Sequence, residues 1–153
     1  MDAVSILKKQ HREVAAIFKK AEKAKDANMR RELVDLLVTK LEMHAKLEEE
    51  IVYPAIREVR NKKAEEMVLE AYEEHAVVKL VLAQLPDVDL EDERFHAKIT
   101  VLKEMVEHHV EEEEKEMFKL AQKLGKEELE SLGEQMMQEM PAEERPKGRR
   151  RAA

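Results

Sequence analysis

LEMHAKLEEEIVYPAI, residues 41–56, places Leu41, His44, Glu48, Val52 and Ala55 at steps of three and four, the period of one face of an α-helix. Two of these five positions are ionisable where a core stripe calls for Leu or Ile. Followed outward, the same face runs back through Leu37 and Leu33 and forward to Val59, which predicts a helix over about 29–60. Pro54 removes one backbone hydrogen bond and is expected to bend that helix. VEHHVEEEEKEMFKLA, residues 106–121, repeats the stretch in the second half of the chain at one constant offset: Val106 matches Leu41, His109 matches His44, Glu113 matches Glu48 and Phe118 matches Tyr53.

The repeat reaches the helices before these two. Over about 2–24, Val4, Leu7, His11, Val14, Phe18 and Ala21 form one stripe; over about 64–85, Val68, Ala71, His75, Val78 and Leu82 form another, in the same register. Each is interrupted by one histidine. Gly125 closes the fourth helix, which starts near Asp92. The chain thus reads as two helical hairpins, 1–61 and 62–124, packing as an all-α, up-down four-helix bundle over 1–124. Leu129, Leu132, Met136 and Met140 give residues 125–140 a weaker apolar face, expected to pack on the outside of the bundle. From Pro141 to Ala153 the chain has two prolines, a glycine and a basic run, and is expected to be disordered.

A length of 153 residues supports one domain with its own core. Charged residues at 41% with three glycines and no tryptophan favour helix formers. No apolar run approaches the roughly 20 residues that span a bilayer, and the start lacks the blocks of a signal peptide, so a cytoplasmic protein without a transmembrane segment is expected. The absence of cysteine excludes disulfides, thiolate metal sites and a cysteine nucleophile. The formal charge is −7; Arg145, Lys147, Arg149, Arg150 and Arg151 hold +5 of it, leaving −12 over residues 1–144. So acidic a body does not suit a nucleic-acid partner.

Two carboxylates and four imidazoles on core stripes need compensation, because a buried unpaired carboxylate costs several kcal/mol. No Lys or Arg falls beside the two glutamates on these stripes. Metal ions satisfy all six groups at once. The six are too many for one tetrahedral zinc and suit two octahedral-tending ions bridged by Glu48 and Glu113, with an oxo or hydroxo bridge and one open position on each ion. His108 competes with His109 for the ligand role, with the repeat favouring His109. His96 is expected at the surface, and Tyr72 at the core or rim. Glu49, Glu50, Glu111, Glu112 and Glu114 read as a solvated face, and the methionines as packing.

DAVSILKKQHREV, LEMHAKLEEEIVYPAI, AYEEHAVVKLVLAQL and VEHHVEEEEKEMFKLA together resemble the hemerythrin family, in particular its bacterial branch of HHE cation-binding domains, over residues 2–121. The resemblance implies a four-helix bundle with a non-haem di-iron centre (Fe2+/Fe3+) held by His11, His44, Glu48, His75, His109 and Glu113. Two departures bear on use. Lys79 stands where oxygen-carrying members have a second histidine on the third helix, and His109 pairs with Glu113 at a spacing of four where those members pair histidine with aspartate at five. The expected function is binding or sensing of O2, NO or a related small ligand. The alternatives are a peroxide-decomposing or reactive-oxygen and nitrogen detoxifying enzyme, working with an unidentified redox partner, and iron storage or iron sensing.

Overall fold

The computed structural model describes residues 1–147. Helix α1 (Ala3–Lys23) is followed by α2 (Ala27–Leu47), which continues through a π-turn (Glu48–Val52) into α3 (Tyr53–Arg57). Helix α4 (Lys62–Gln84) ends in a 3-10 turn (Leu85–Asp87), and α5 (Glu93–Glu112) continues through a second π-turn (Glu113–Met117) into α6 (Phe118–Ala121). Helix α7 (Lys126–Glu139) follows Gly125, whose φ of 89° lies where glycine meets no Cβ penalty.

Each of the four long rods starts on an Asx cap. The side chains of Asp2, Asp26, Asn61 and Asp92 accept the backbone N–H of Ser5, Asn28, Ala64 and Arg94, at 2.8, 2.7, 3.2 and 2.8 Å. Each cap satisfies a donor that a helix start leaves without an intrahelical partner, worth about 1 kcal/mol. Short loops after α1 and α4 make two antiparallel hairpins, and α1 packs on α5 while α3 packs on α4, closing an up-down bundle.

The stripes expected from the sequence hold as far as the two glutamates and then slip by one position. After Glu48 the buried positions are Val52, Tyr53 and Ile56, with Ala55 and Val59 only partly buried. After Glu113 they are Met117, Phe118 and Ala121, with Leu120 and Leu124 partly buried. A π-turn inserts one extra residue, and one residue rotates the helix face by about 100°. The Tyr53 N–H accordingly bonds Glu48 O, and the Phe118 N–H bonds Glu113 O, each spanning one residue more than an α-helical bond. The sequence assigns the bend in the second rod to Pro54. The fourth rod has the same π-turn with Lys119 in place of proline, so proline is not required for that turn.

The apolar interior falls into two clusters. One gathers Leu7, Val52, Tyr53, Ile56, Val68, Met117 and Phe118; the other gathers Val14, Phe18, Leu37, Leu82, Phe95 and Leu102. Between them lies a belt of buried polar side chains. Helix α7 lies against α1 with Leu129, Leu132 and Met136 buried, as expected of an outer helix. Residues 142–144, within the segment expected to lack order, form a 3-10 turn, and Arg145 Nε donates to Met140 O at 3.1 Å. The rest of the basic tail, 148–153, lies outside the described residues.

Gly133 is what lets α7 approach the chain start. A Cβ there would collide with Met1 O and lie 3.0 Å from Asp2 C, both backbone atoms rather than the ends of flexible side chains. Alanine normally improves an exposed helix by about 1 kcal/mol over glycine. Here Gly133→Ala is expected to destabilise by about 1–3 kcal/mol, read as a lower thermal midpoint with metal content unchanged.

Candidate metal centre

All six residues picked out by the stripes face the polar belt. His11 comes from α1, His44 from α2, His75 from α4 and His109 from α5, each 6–7% exposed, while Glu48 and Glu113 open the two π-turns at 0% and 1%. The histidines meet in pairs, one pair per hairpin: His11 Nε2 is 3.2 Å from His44 Nε2, and His75 Nε2 is 3.1 Å from His109 Nε2. Each carboxylate straddles the pairs. Glu48 Oε1 lies 2.8 Å from His44 Nε2 and 3.4 Å from His75 Nε2, and Glu113 Oε1 lies 3.2 Å from His109 Nε2 and 3.4 Å from His11 Nε2.

These approaches are close without being hydrogen bonds: both Oε1 atoms are buried and have no hydrogen-bond partner. Leaving a buried acceptor unsatisfied costs about 1–3 kcal/mol, more when it is charged. Opposed ring nitrogens, with carboxylate oxygens aimed at the same space and no Lys or Arg paired with either glutamate among the described residues, fit a cation. The donors form two groups, His11, His44 and Glu113 and then Glu48, His75 and His109, each with ligand atoms within 4.8 Å of one another. The chemistry is all nitrogen and oxygen, which suits iron, manganese or zinc and not a thiophilic ion.

With Gln10 and Glu74, Tyr53 is among the residues the sequence reading missed, and it is the most central of them. Its hydroxyl lies 2.8 Å from Glu113 Oε2 and 3.0 Å from Glu48 Oε2, so its one proton is shared between the two carboxylates, and it lies 3.2 and 3.3 Å from Nε2 of His109 and His75. Its counterpart in the second half, Phe118, stacks on the His11 ring at 5.9 Å, so the two ends of the site differ by one hydroxyl. The available signal was a tyrosine shortly after a candidate ligand glutamate, which reads equally well as an apolar mate of Phe118. Burial first, then Glu48 and Glu113, raise the pKa of Tyr53, so the phenol keeps its proton. Tyr53→Phe is expected to cost the metal-free protein about 1–3 kcal/mol by leaving two buried carboxylates with fewer donors, measured by denaturant unfolding.

Around the six lies a ring of partners on the far ring nitrogens. Gln10 Oε1 accepts from His44 Nδ1 at 2.6 Å, and Glu74 Oε1 and Glu114 Oε1 stand 3.3 Å from Nδ1 of His109 and His11. Such contacts fix the tautomer that leaves Nε2 free to coordinate. The sequence places Glu114 and Glu49 on a solvated face; the carboxylate of Glu114 instead folds back to His11, as does that of Glu49 toward His75 at 3.6 Å. Burial disfavours a proton on His109, yet Glu113, Glu74 and Glu48 outweigh it and push its pKa up to about 11. Burial likewise opposes a charge on His11, and Glu113 and Glu48 overcome it, raising its pKa. Burial favours the neutral form of Glu48, but the charge of His44, with Glu113 and His75 beside it, holds the carboxyl well below its ordinary value.

The competing residues stay outside. The His108 side chain is 65% exposed and pairs with Glu112 at 3.2 Å, and His96 is exposed. Tyr72 is half-buried, donating to Glu49 O at 3.2 Å with its ring edge-on to Tyr53. Among the described residues no helix is long and apolar enough to cross a membrane.

A cavity of about 40 Å³ is lined by the four histidines, Lys79 and a wall that includes Val14, Leu41, Val78, Leu82 and Val106. Glu42 also lines it, and most of the surface it presents is apolar.

Comparison with known proteins agrees with this architecture. A hemerythrin HHE cation binding domain protein from Mycobacterium kansasii has a solved structure that superposes with a TM-score of 0.76 at 27% identity, covering 89% of this chain and 83% of that one. A curated relative, described as a DNA nickase of Nostoc sp., is 26% identical over 118 residues; these are 77% of this chain, which spans about a third (33%) of the relative's length. The family model for the hemerythrin HHE cation binding domain matches residues 2–121. That range holds all four rods, both π-turns and every residue of the polar belt, and the chain belongs to the hemerythrin HHE cation-binding domain family.

Proposed function

We propose that the protein holds two iron ions and uses them to bind or sense a small neutral ligand such as O2 or NO. The observation that carries this reading is the pair of carboxylates, each with one oxygen within 3.4 Å of an imidazole from both hairpins. One ion would take His11 and His44, the other His75 and His109, with Glu48 and Glu113 shared between them. Bound there, an iron pair supplies one-electron redox chemistry and open positions for a ligand.

The protein's own part is selection. A cavity needs about 10–15 Å³ of this kind of volume to admit one water, so about 40 Å³ admits a molecule of two or three heavy atoms. Its apolar wall favours an uncharged guest over a hydrated anion. Gln10, Glu74 and Glu114 hold three of the rings in place through Nδ1, and Tyr53 holds both carboxylates through their second oxygens.

Tyr53 also favours a second reading, decomposition of peroxide. Its hydroxyl is a buried hydrogen-bond donor within 3.3 Å of atoms of four of the six residues, a group that orients a peroxide oxygen and that carriage of a neutral gas does not require. A charge of −12 over residues 1–144 gives no ground for carrying a DNA-directed activity over from the nickase.

Metal analysis with an absorption spectrum tests the proposal. Two irons per chain and a spectrum that cycles reversibly between air and argon are expected; one zinc, or a folded protein indifferent to loss of His44 and His109, overturns it. Rapid oxygen evolution from added peroxide, reduced in Tyr53→Phe, would move the reading to the enzyme.

A further inference from the structure

His75 is the exception in the ring of partners. Its Nδ1 is buried and has no hydrogen-bond partner, whereas the Nδ1 atoms of His11, His44 and His109 each have one. An orphaned buried ring nitrogen calls for a cause. The other half of the chain serves as an internal control. In the register of the repeat His11 is the counterpart of His75, and Glu114 is the counterpart of Glu49. Glu114 Oε1 reaches His11 Nδ1 at 3.3 Å, but Glu49 Oε2 stops 3.6 Å from His75 Nδ1.

The difference lies in what else holds the carboxylate. Lys79 Nζ binds both oxygens of Glu49, at 2.7 and 3.0 Å. The position equivalent to Lys79 is Ala15, which has nothing to hold Glu114 with. Both residues of the pair sit one step from the centre: Lys79 also lines the cavity that the four histidines line, and the Glu49 side chain is 22% exposed against 49% for that of Lys79.

We infer that Lys79 is a positioning residue that, by holding Glu49 away from the His75 ring, weakens His75 as a donor and raises the reduction potential of the ion His75 helps to hold. A carboxylate accepting from Nδ1–H makes an imidazole a stronger donor and favours the more highly charged metal. A carboxylate that is farther away, with its charge offset by an ammonium, does this less. The position that distinguishes this chain from the oxygen carriers thus acts on the centre at one remove, through a neighbouring carboxylate.

The inference rests on the iron-pair reading, and a redox titration of the iron-loaded full chain followed by absorption separates the two. Lys79→Met frees Glu49 and is expected to raise the preference for the ferric state about tenfold, a fall of ~59 mV for a one-electron couple. Lys79→Arg keeps the pair and stays near the parent. Glu49→Gln shows no fall, and Lys79→Met adds nothing in the Glu49→Gln background. Equal potentials in the parent and Lys79→Met, or a Lys79→Met shift that persists without Glu49, overturn the inference; the second result would make Lys79 a direct charge and not a positioner. A parent protein that takes up no pair of irons overturns the reading beneath it. A purely structural role for Lys79 would move the thermal midpoint and leave the potential where it was.

Discussion

Replacing Glu48 and Glu113 together with alanine is expected to abolish metal uptake, read by metal analysis after gel filtration. Among the described residues these are the only two anions inside the polar belt, and each spans the two histidine pairs. Four neutral imidazoles alone would have to hold two divalent or trivalent ions close together, with nothing to offset their mutual repulsion in a site shielded from water. Either single replacement leaves one shared carboxylate and is expected to give a labile or partly filled site.

The fold should survive the loss. Substituting buried ionic groups by packed apolar ones is often neutral or stabilising by about 1–4 kcal/mol. That holds when the whole ionic group is replaced; the Glu48→Leu, Glu113→Leu variant leaves the Tyr53 hydroxyl and the buried imidazoles without their carboxylate partners, so it is expected to stay folded with a midpoint below that of the metal-free parent while binding no iron. Two irons per chain in either double variant would remove both glutamates from the centre.

That six of the seven buried polar residues of the belt, all but Gln10, were legible in sequence follows from geometry. A ligand must face the core to meet its partners, so it occupies a position on an apolar stripe, where its polarity is conspicuous; two hairpins repeating the fault in matched register made the pattern stand out. Tyr53 was not legible for the opposite reason. It sits on a buried position that suits an aromatic ring, and its mate Phe118 fills the same place with no polar atom.

The π-turns were hidden as well, because a hydrogen bond that reaches one position farther back leaves no mark on composition. A trace was present in retrospect: past each glutamate the best apolar residues, Tyr53 and Ile56 and then Phe118 and Ala121, fall one place off the stripe. Glu49 and Glu114 read as solvated from the exposure of their helix positions. Long side chains on exposed positions can fold back over a rim, and sequence spacing is blind to that.

Removing the metal is expected to lower the thermal midpoint by about 8–16 °C, and by more at alkaline pH than at pH 6. Free metal at a thousand times its dissociation constant stabilises by about 4 kcal/mol, and a protein of this size moves by about 2–4 °C per kcal/mol. The pH dependence comes from the metal-free state, in which protons stand in for the ions. His109 has its pKa raised from 6.5 to about 11, so the stability it contributes is full below pH 6.5 and is lost as pH rises toward 11. Glu48 is shifted down, so its contribution is present above about pH 4.5 and is lost as pH falls below it. The metal-free protein is thus expected to be most stable between about pH 4.5 and 6.5.

Metal binding runs the other way, because Nε2 of His109 must give up its proton to coordinate. Between pH 6.5 and 11 each released proton makes apparent affinity rise about tenfold per pH unit. The gap between loaded and stripped midpoints therefore widens with pH, and the gain in affinity and the stripped protein's loss of stability are two readings of the same proton. Thermal melts of the two forms at pH 6, 7.5 and 9, with proton release on metal addition followed in a weak buffer, check this; a gap that stays constant across that range would mean that His109 is not the proton's holder in the empty site.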